Sequence, residues 1–358
     1  MSRLKVAVVG CGHLGTVHAR LLAARSDVEL VAVVDPVPMA RESVAGIHGC
    51  LALADPHELI GKATAVVVAA PTGLHAAVSL PLLEAGIDLL IEKPIAAKVE
   101  QARSIVVAAR RNNRVVAVGH VERFNPAWIL AVANIGRVKM LESCRLAPFS
   151  FRSMDVGVVL DLMIHDIDLV LSLEPGRLDR IDAHGIIATG GHEDFARARL
   201  TFSSGLVADL SASRINPTLR RSVSLWSHER IVSVDFNAKT VDVISPSEAV
   251  RSRQYVAANV RPEQFAQAKE TFFTEILPRE TLAVPEANAL MCEHDDFFAA
   301  VGSRLLPRVS ASAGAAALEI ATSVIESLAC TRFGSTDDVQ SVSLPARSLP
   351  VLPRRKTG

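Results

Sequence analysis

The sequence predicts an α/β fold: a doubly wound parallel sheet in the N-terminal part, then an α+β part built on an open, mostly antiparallel sheet. Three observations carry this. Short β-branched runs alternate with helical patterns over about the first 120 residues. Those runs hardly alternate in polarity, as expected of strands covered by helices on both faces. Beyond Phe124 come segments that do alternate, with turns of Gly-Gly or Ser-Ser-Gly, which suits an antiparallel sheet exposed on one side.

Taken in order, "LKVAVV" (4 to 9) is a strand stopped by glycine, and "LGTVHARLLAAR" continues with helical spacing. "VELVAVVD", "TAVVVAAP", "GIDLLIEKP" and "NRVVAVGH" repeat the strand pattern. Between them "PMARESVAGIHG", "DPHELIGK", "GLHAAVSLPLLEAG" and "AAKVEQARSIVVAARR" read as helices, with Asp55 before Pro56 as an N-cap and first-turn proline. "NPAWILAVANIG" is a helix, and so is "VVLDLMIHDIDLVLS" (158 to 172). Shorter strands follow, and "EANALMCEHDDFFAAVG" and "AGAAALEIATSVIESLAC" close the ordered part as helices. The expected domains are 1–122, 123–330 and a loosely held Ser-, Pro- and Arg-rich tail, 331–358.

A chain of 358 residues is long for one core, and zero net charge provides no basic field for nucleic acid or an anionic membrane. A small-molecule partner is expected instead. The five cysteines form no CxxC pair and are odd in number, which points to free thiols and a cytoplasmic location. The first strand begins too early for a signal peptide, and no apolar run is long enough to span a bilayer.

Gly10, Gly12 and Gly15 form GxGxxG where a strand meets a helix. The first permits the turn, the second admits a pyrophosphate to the backbone, and the third allows close helix packing. Asp35 ends the second strand 20 residues after Gly15, where its carboxylate can accept hydrogen bonds from both ribose hydroxyls. That carboxylate would repel a 2′-phosphate, and no basic residue follows before Arg41, so NAD is expected over NADP. Glu92, Lys93 and Pro94 close a later strand at its carboxyl end, where ligands of such sheets bind. Lys93 could donate to a substrate hydroxyl there, or could be half of a solvated Glu-Lys pair. On an α-helix Asp161, His165 and Asp168 share one face, while Asp166 points elsewhere.

Together "GCGHLGTVH", "APTGLHAAV", "EKP" and "DLMIHDID" resemble the glucose-fructose oxidoreductase, inositol dehydrogenase and rhizopine catabolism (Gfo/Idh/MocA) family, from about residue 4 to residue 330. The resemblance implies a Rossmann domain, then a domain whose open sheet carries substrate contacts and an oligomer interface, so that a homodimer or homotetramer is expected. It maps the family's lysine onto Lys93 and its aspartate and histidine onto Asp161 and His165, with the charged helix face looking across a cleft at the nicotinamide. "VGHVERFNPA" and "DLMIHDIDLVLSL" resemble the branch that oxidises the 3-hydroxyl of UDP-N-acetylglucosamine on the way to diamino-sugar lipid A. Neighbouring branches oxidise inositols or other sugars.

The expected cofactor contacts are thus Gly10, Gly12, His13, Leu14 and Gly15, then Asp35, then Pro71, Thr72 and His75, with Glu92 and Lys93. For the substrate, Arg123, Asn125 and Arg152 join Lys93, Asp161 and His165. Arg145 could supply charge to a diphosphate as well, since arginine can bind phosphate oxygens in bidentate fashion. Three alternatives stay open. His165 could be a core histidine satisfied by a neighbouring aspartate. The Asp-x3-His-x2-Asp face could bind a divalent ion, although hydride transfer to NAD needs no metal and none is expected. The chain could also be a dinucleotide sensor without catalysis.

Overall fold

A computed structural model describes residues 3–151, 156–189 and 191–332. The chain forms two compact units, the first running up to Phe124 and resuming at Asn288–Thr322, the second comprising Asn125–Ala287 and the chain from Ser323.

In the first unit, β1 (Leu4–Val9), α1 (His13–Ala23), β2 (Val28–Val34), α2 (Pro38–His48), β3 (Leu51–Leu53), β4 (Ala65–Val68), α3 (His75–Glu84), β5 (Asp88–Glu92), α4 (Val99–Arg111) and β6 (Val116–Gly119) follow one another. The six strands are parallel in the order β3-β2-β1-β4-β5-β6, so the strand order reverses beside β1. Val8 pairs with Val33 on one side and Val67 on the other. All three are fully buried, which is why these strands read as continuous apolar runs. The short β3 is apolar but only three residues long and little buried, and was not expected. "DPHELIGK" is only a single 3-10 turn, Pro56–Leu59, capped by Asp55 as expected.

The second unit begins with α5 (Pro126–Ile135) and β7 (Val138–Leu146). A wide π-helical turn, Val159–Met163, leads into α6 (Ile164–Ser172). Then come β8 (Leu178–Ile187), β9 (Phe195–Phe202), β10 (Val207–Ser213), β11 (Arg220–Ser227), β12 (Ile231–Asp235) and β13 (Thr240–Ile244), two short helices α7 (Glu248–Arg251) and α8 (Phe265–Glu270), and β14 (Arg279–Leu282). The chain then forms α9 (Ala289–Ser303) in the first unit, α10 (Ala311–Ser327), and finally β15 (Leu328–Arg332). The nine-stranded sheet runs β14-β13-β12-β11-β7-β10-β9-β8-β15. It is antiparallel except where β10 lies along β7 and β15 along β8. Buried residues on β9 alternate with more exposed ones, as the polarity pattern requires.

Two boundaries differ from the sequence reading. The division falls at Phe124/Asn125, and residues 288–322, expected in the second domain, pack with the first. The reason is a stripe on α9: Phe297, Ala300 and Val301 recur at helical spacing and join the core of Val6, Val8, Val33 and Leu90 under the parallel sheet. Arg304, just past α9, adds two hydrogen bonds to buried Asp88 on β5, at 2.8 and 2.9 Å. The last apolar residues, Leu328 to Cys330, leave the expected helix because they pair with Ala183 to Gly185 as an edge strand. Of the expected tail, residues 333–358 lie outside the described residues.

Replacing Phe297 by Ala should lower the unfolding free energy by about 3–5 kcal/mol, the usual cost of deleting a buried aromatic ring. Urea denaturation of the full chain reads this; an unchanged midpoint would remove α9 from the core.

Candidate active site

The carboxyl ends of the parallel strands gather the first group of functional residues. β1 stops at Gly10, whose φ of +98° suits glycine and whose Cβ would lie 2.5 Å from the Ala69 carbonyl oxygen. A Cβ on Gly15 would come within 1.8 Å of the Gly10 carbonyl oxygen, so α1 can lie this close to the turn only with glycine there. Gly12 is different. It caps the N-terminus of α1, and a Cβ there would meet nothing within 4 Å, which leaves room for a ligand beside the turn. His13 and Leu14 are exposed at the same helix start.

Asp35 is half-buried past β2, and its two carboxylate oxygens accept from the Cys11 amide at 2.8 Å and the Val37 amide at 2.9 Å. The carboxylate is therefore fixed at the edge of the glycine turn, with lone pairs left over for ribose hydroxyls. Arg41 bonds the carbonyls of Asp35 and Pro36, both at 3.2 Å. An open glycine cradle, a helix N-terminus and a held carboxylate fit a dinucleotide with a free 2′-hydroxyl.

Pro71 and Thr72 lie in the turn after β4, Pro71 exposed and Thr72 half-buried. His75 is buried instead. Its Nδ1 lies 2.9 Å from the Pro94 carbonyl and its Nε2 2.8 Å from the Ala70 carbonyl, and the neutral ring donates to one of them, a structural role in place of the expected cofactor contact. Burial holds its pKa below the ordinary imidazole value, against the pull of those carbonyls. Glu92 likewise turns inward, while Lys93 is half-buried past the carboxyl end of β5.

The second group lies on the helix that follows β7. The expected single α-helix opens into the π-helical turn Val159–Met163, so the i, i+4 relation assumed for Asp161 and His165 is altered by the wider turn. Both residues are half-buried. Asp168 is fully buried, and Asp166 pairs with buried Arg145 of β7 at 2.8 Å. Arg145 is thus held inside rather than offered to a diphosphate.

Four residues that the sequence reading did not place set this helix. The Glu193 carbonyl and carboxylate accept from the Val158 and Val159 amides, each at 3.1 Å, capping the helix start. A Cβ on Gly157 would lie 2.0 Å from that carboxylate, so glycine leaves the space that the carboxylate fills. Asp194 accepts from Arg214 Nε at 2.7 Å and from the Ala188 and Thr189 amides at 2.8 and 2.7 Å, while Arg214 Nη1 donates to the Val156 carbonyl at 2.9 Å. Burial raises the Asp194 pKa, and these donors outweigh it, leaving the carboxyl below its usual range. The paired acids after "GG" in "GGHEDF" were the available signal.

Of the other candidates, the Arg123 carbonyl accepts from Arg308, and the Asn125 side chain caps α5 through the Ala127 amide at 3.1 Å. Arg152 lies outside the described residues. Among the described residues, no group of three or more His, Cys, Asp or Glu is gathered as a metal would need, and no helix is long and apolar enough to cross a membrane. All five cysteines are free thiols.

Comparison with known proteins agrees with this arrangement. Residues 4–120 match the oxidoreductase family with an NAD-binding Rossmann fold, and residues 129–229 match the GFO/IDH/MocA C-terminal domain. A UDP-N-acetylglucosamine 3-dehydrogenase of Acidithiobacillus ferrooxidans is 36% identical over 244 residues, 68% of this chain and 77% of that protein. The inositol 2-dehydrogenase of Rhizobium meliloti is 26% identical over 344 residues, 91% of this chain and 97% of that one. A solved structure of the Acidithiobacillus ferrooxidans enzyme GnnA superposes with a TM-score of 0.80 at 31% identity, covering 92% of this chain and 98% of that chain. With its glycine turn, held Asp35 and nine-stranded second sheet, the chain belongs to the Gfo/Idh/MocA family of NAD-binding oxidoreductases.

Proposed function

We propose that the protein oxidises the 3-hydroxyl of UDP-N-acetylglucosamine, supplying a 3-oxo nucleotide sugar to nucleotide-sugar or lipid A biosynthesis. The observation that carries the reading is Lys93, past the carboxyl end of β5 on the same sheet edge as the dinucleotide turn. Identity of 36% to a UDP-N-acetylglucosamine 3-dehydrogenase supports this sugar.

NAD, when bound, supplies the acceptor for the hydride that leaves the carbinol carbon. Gly10, Gly12 and Gly15 would admit its pyrophosphate, with His13 and Leu14 beside them, and Asp35 would hold its ribose. Pro71 and Thr72 would border it. Lys93 donates a hydrogen bond from Nζ to the reacting hydroxyl oxygen, favouring the charge that grows there. His165 takes the hydroxyl proton. Its Nδ1 is buried, which leaves Nε2 for that task. Asp161 stabilises the imidazolium that results. Arg123, Asn125 and Arg152 remain candidate sugar or diphosphate contacts. Free thiols support a cytoplasmic location, and the open sheet supports a homodimer or homotetramer, which light scattering would read.

Lys93→Ala and His165→Ala should each lower kcat by about 100-fold or more while leaving the NADH dissociation constant within about twofold. Stopped-flow absorbance with NAD and UDP-N-acetylglucosamine measures the first and fluorescence titration the second. Turnover of an inositol but not of the nucleotide sugar would favour the second reading, which the 26% identity to an inositol 2-dehydrogenase over 91% of this chain supports. Tight NADH binding with no turnover across a sugar panel would favour a sensor.

Asp35→Ser should raise the NADH dissociation constant roughly tenfold, the scale of a lost charged hydrogen bond, and narrow the preference over NADPH. Equal affinity of the unaltered protein for both cofactors would contradict this role for Asp35.

A further inference from the structure

Behind Lys93 lies a line of buried polar groups that the reaction as described does not use. The Lys93 amide donates to Glu92 Oε2 at 3.2 Å, Glu92 Oε1 meets His18 Nε2 at 2.9 Å, and His18 Nδ1 meets His294 Nε2 at 2.8 Å. His18 and His294 are fully buried and Glu92 is 7% exposed. They come from α1, β5 and α9, three elements of the first unit. Such an arrangement is costly unless each proton has a defined place.

The protons can be counted. An ionised Glu92 requires a hydrogen on His18 Nε2, since a carboxylate only accepts. His18 Nδ1 then accepts from a hydrogen on His294 Nε2. This leaves His294 Nδ1, which has no hydrogen-bond partner among the described residues, as a bare lone pair rather than a stranded N–H. Burial above all pushes the His294 pKa down to about 3, so this ring is neutral at physiological pH. The line then carries one negative charge, on Glu92. Burial opposes that charge, but His18 and the Lys93 cation outweigh it and hold the carboxyl below its usual range.

We propose that His294, His18 and Glu92 are positioning residues, a buried relay that keeps Glu92 anionic behind Lys93 and so keeps the lysine amine protonated when the alcohol binds. The inference rests on the reading of Lys93 as donor to the reacting oxygen. The other titratable groups around the line are His75 at the start of α3, whose pKa burial lowers against the opposing charge of Glu92, and His120, one residue past the register partner of Glu92 on β6. On the α9 side they are Glu293, and Arg25 with its partners Asp27 and Asp295.

The test measures Lys93 itself, without a substrate. The full chain and its E92Q, His18→Leu and His18→Gln variants are pulsed with acetic anhydride across a pH series, and acetylation of Lys93 is followed by peptide mass spectrometry. Only the neutral amine reacts. Removing the carboxylate charge in E92Q should lower the midpoint of labelling by roughly one pH unit or more, the shift expected of a lost opposite charge close by. His18→Leu should shift it the same way, because Glu92 without its donor takes up a proton. His18→Gln, whose amide can donate to Glu92, should restore the original midpoint. An unchanged midpoint in E92Q, or equal shifts in His18→Leu and His18→Gln, overturns the relay. Should E92Q fail to fold by circular dichroism, the two His18 variants decide. Turnover of Lys93→Ala tests the lysine separately: full activity there, with labelling displaced in E92Q, rejects the lysine's role and keeps the relay.

Discussion

A carboxylate taken out of water must be met by donors, and in this protein that requirement fixes the side chains of the candidate site. Glu92 is met by His18 and by the Lys93 amide, so the turn that presents Lys93 is pinned to α1. Asp35 is met by the amides of Cys11 and Val37, which holds the end of β2 against the glycine turn. Glu193 and Asp194 are met by helix amides and by Arg214, which seats the start of the helix bearing Asp161 and His165. Groups bonded this way are held rigid, and rigidity is what positioned chemistry needs.

The glycines impose the complementary constraint. At Gly10 and Gly15 the neighbouring backbone leaves no room for a Cβ, whereas the space beside Gly12 is open. Two of the three glycines are thus required by the protein's own packing, whereas the third would be required only by a ligand's approach. The same distinction holds in the second unit, where Gly157 makes room for the Glu193 carboxylate. Local sequence signals therefore mix two kinds of necessity, and only the surroundings separate them.

Much of the fold was legible in the chain. The parallel strands announce themselves because each is buried on both faces, and the glycine turn followed by Asp35 carries its own spacing. What escaped was short, or depended on distant partners. β3 has three residues and little burial, so no pattern marks it. The π-helical turn at Val159–Met163 has the same apolar texture as an α-helix, because composition does not record how a turn closes. His75 and Arg145 looked like ligand-facing residues, yet their partners are two carbonyls and Asp166, which no local pattern could supply.

By itself the sequence determined the alternation of parallel strands and helices in the first part of the chain and the dinucleotide turn. These follow from periodicity, glycine placement and short spacings, all local properties of a chain. Only the tertiary structure decided that α9 returns to the first unit, that Glu92 meets His18, which in turn meets His294 from the other end of the sequence, and that Glu193 seats the helix carrying His165. The physical reason is that a buried charge or an apolar stripe states a need for a partner without naming it, and the partner is chosen when the chain closes on itself.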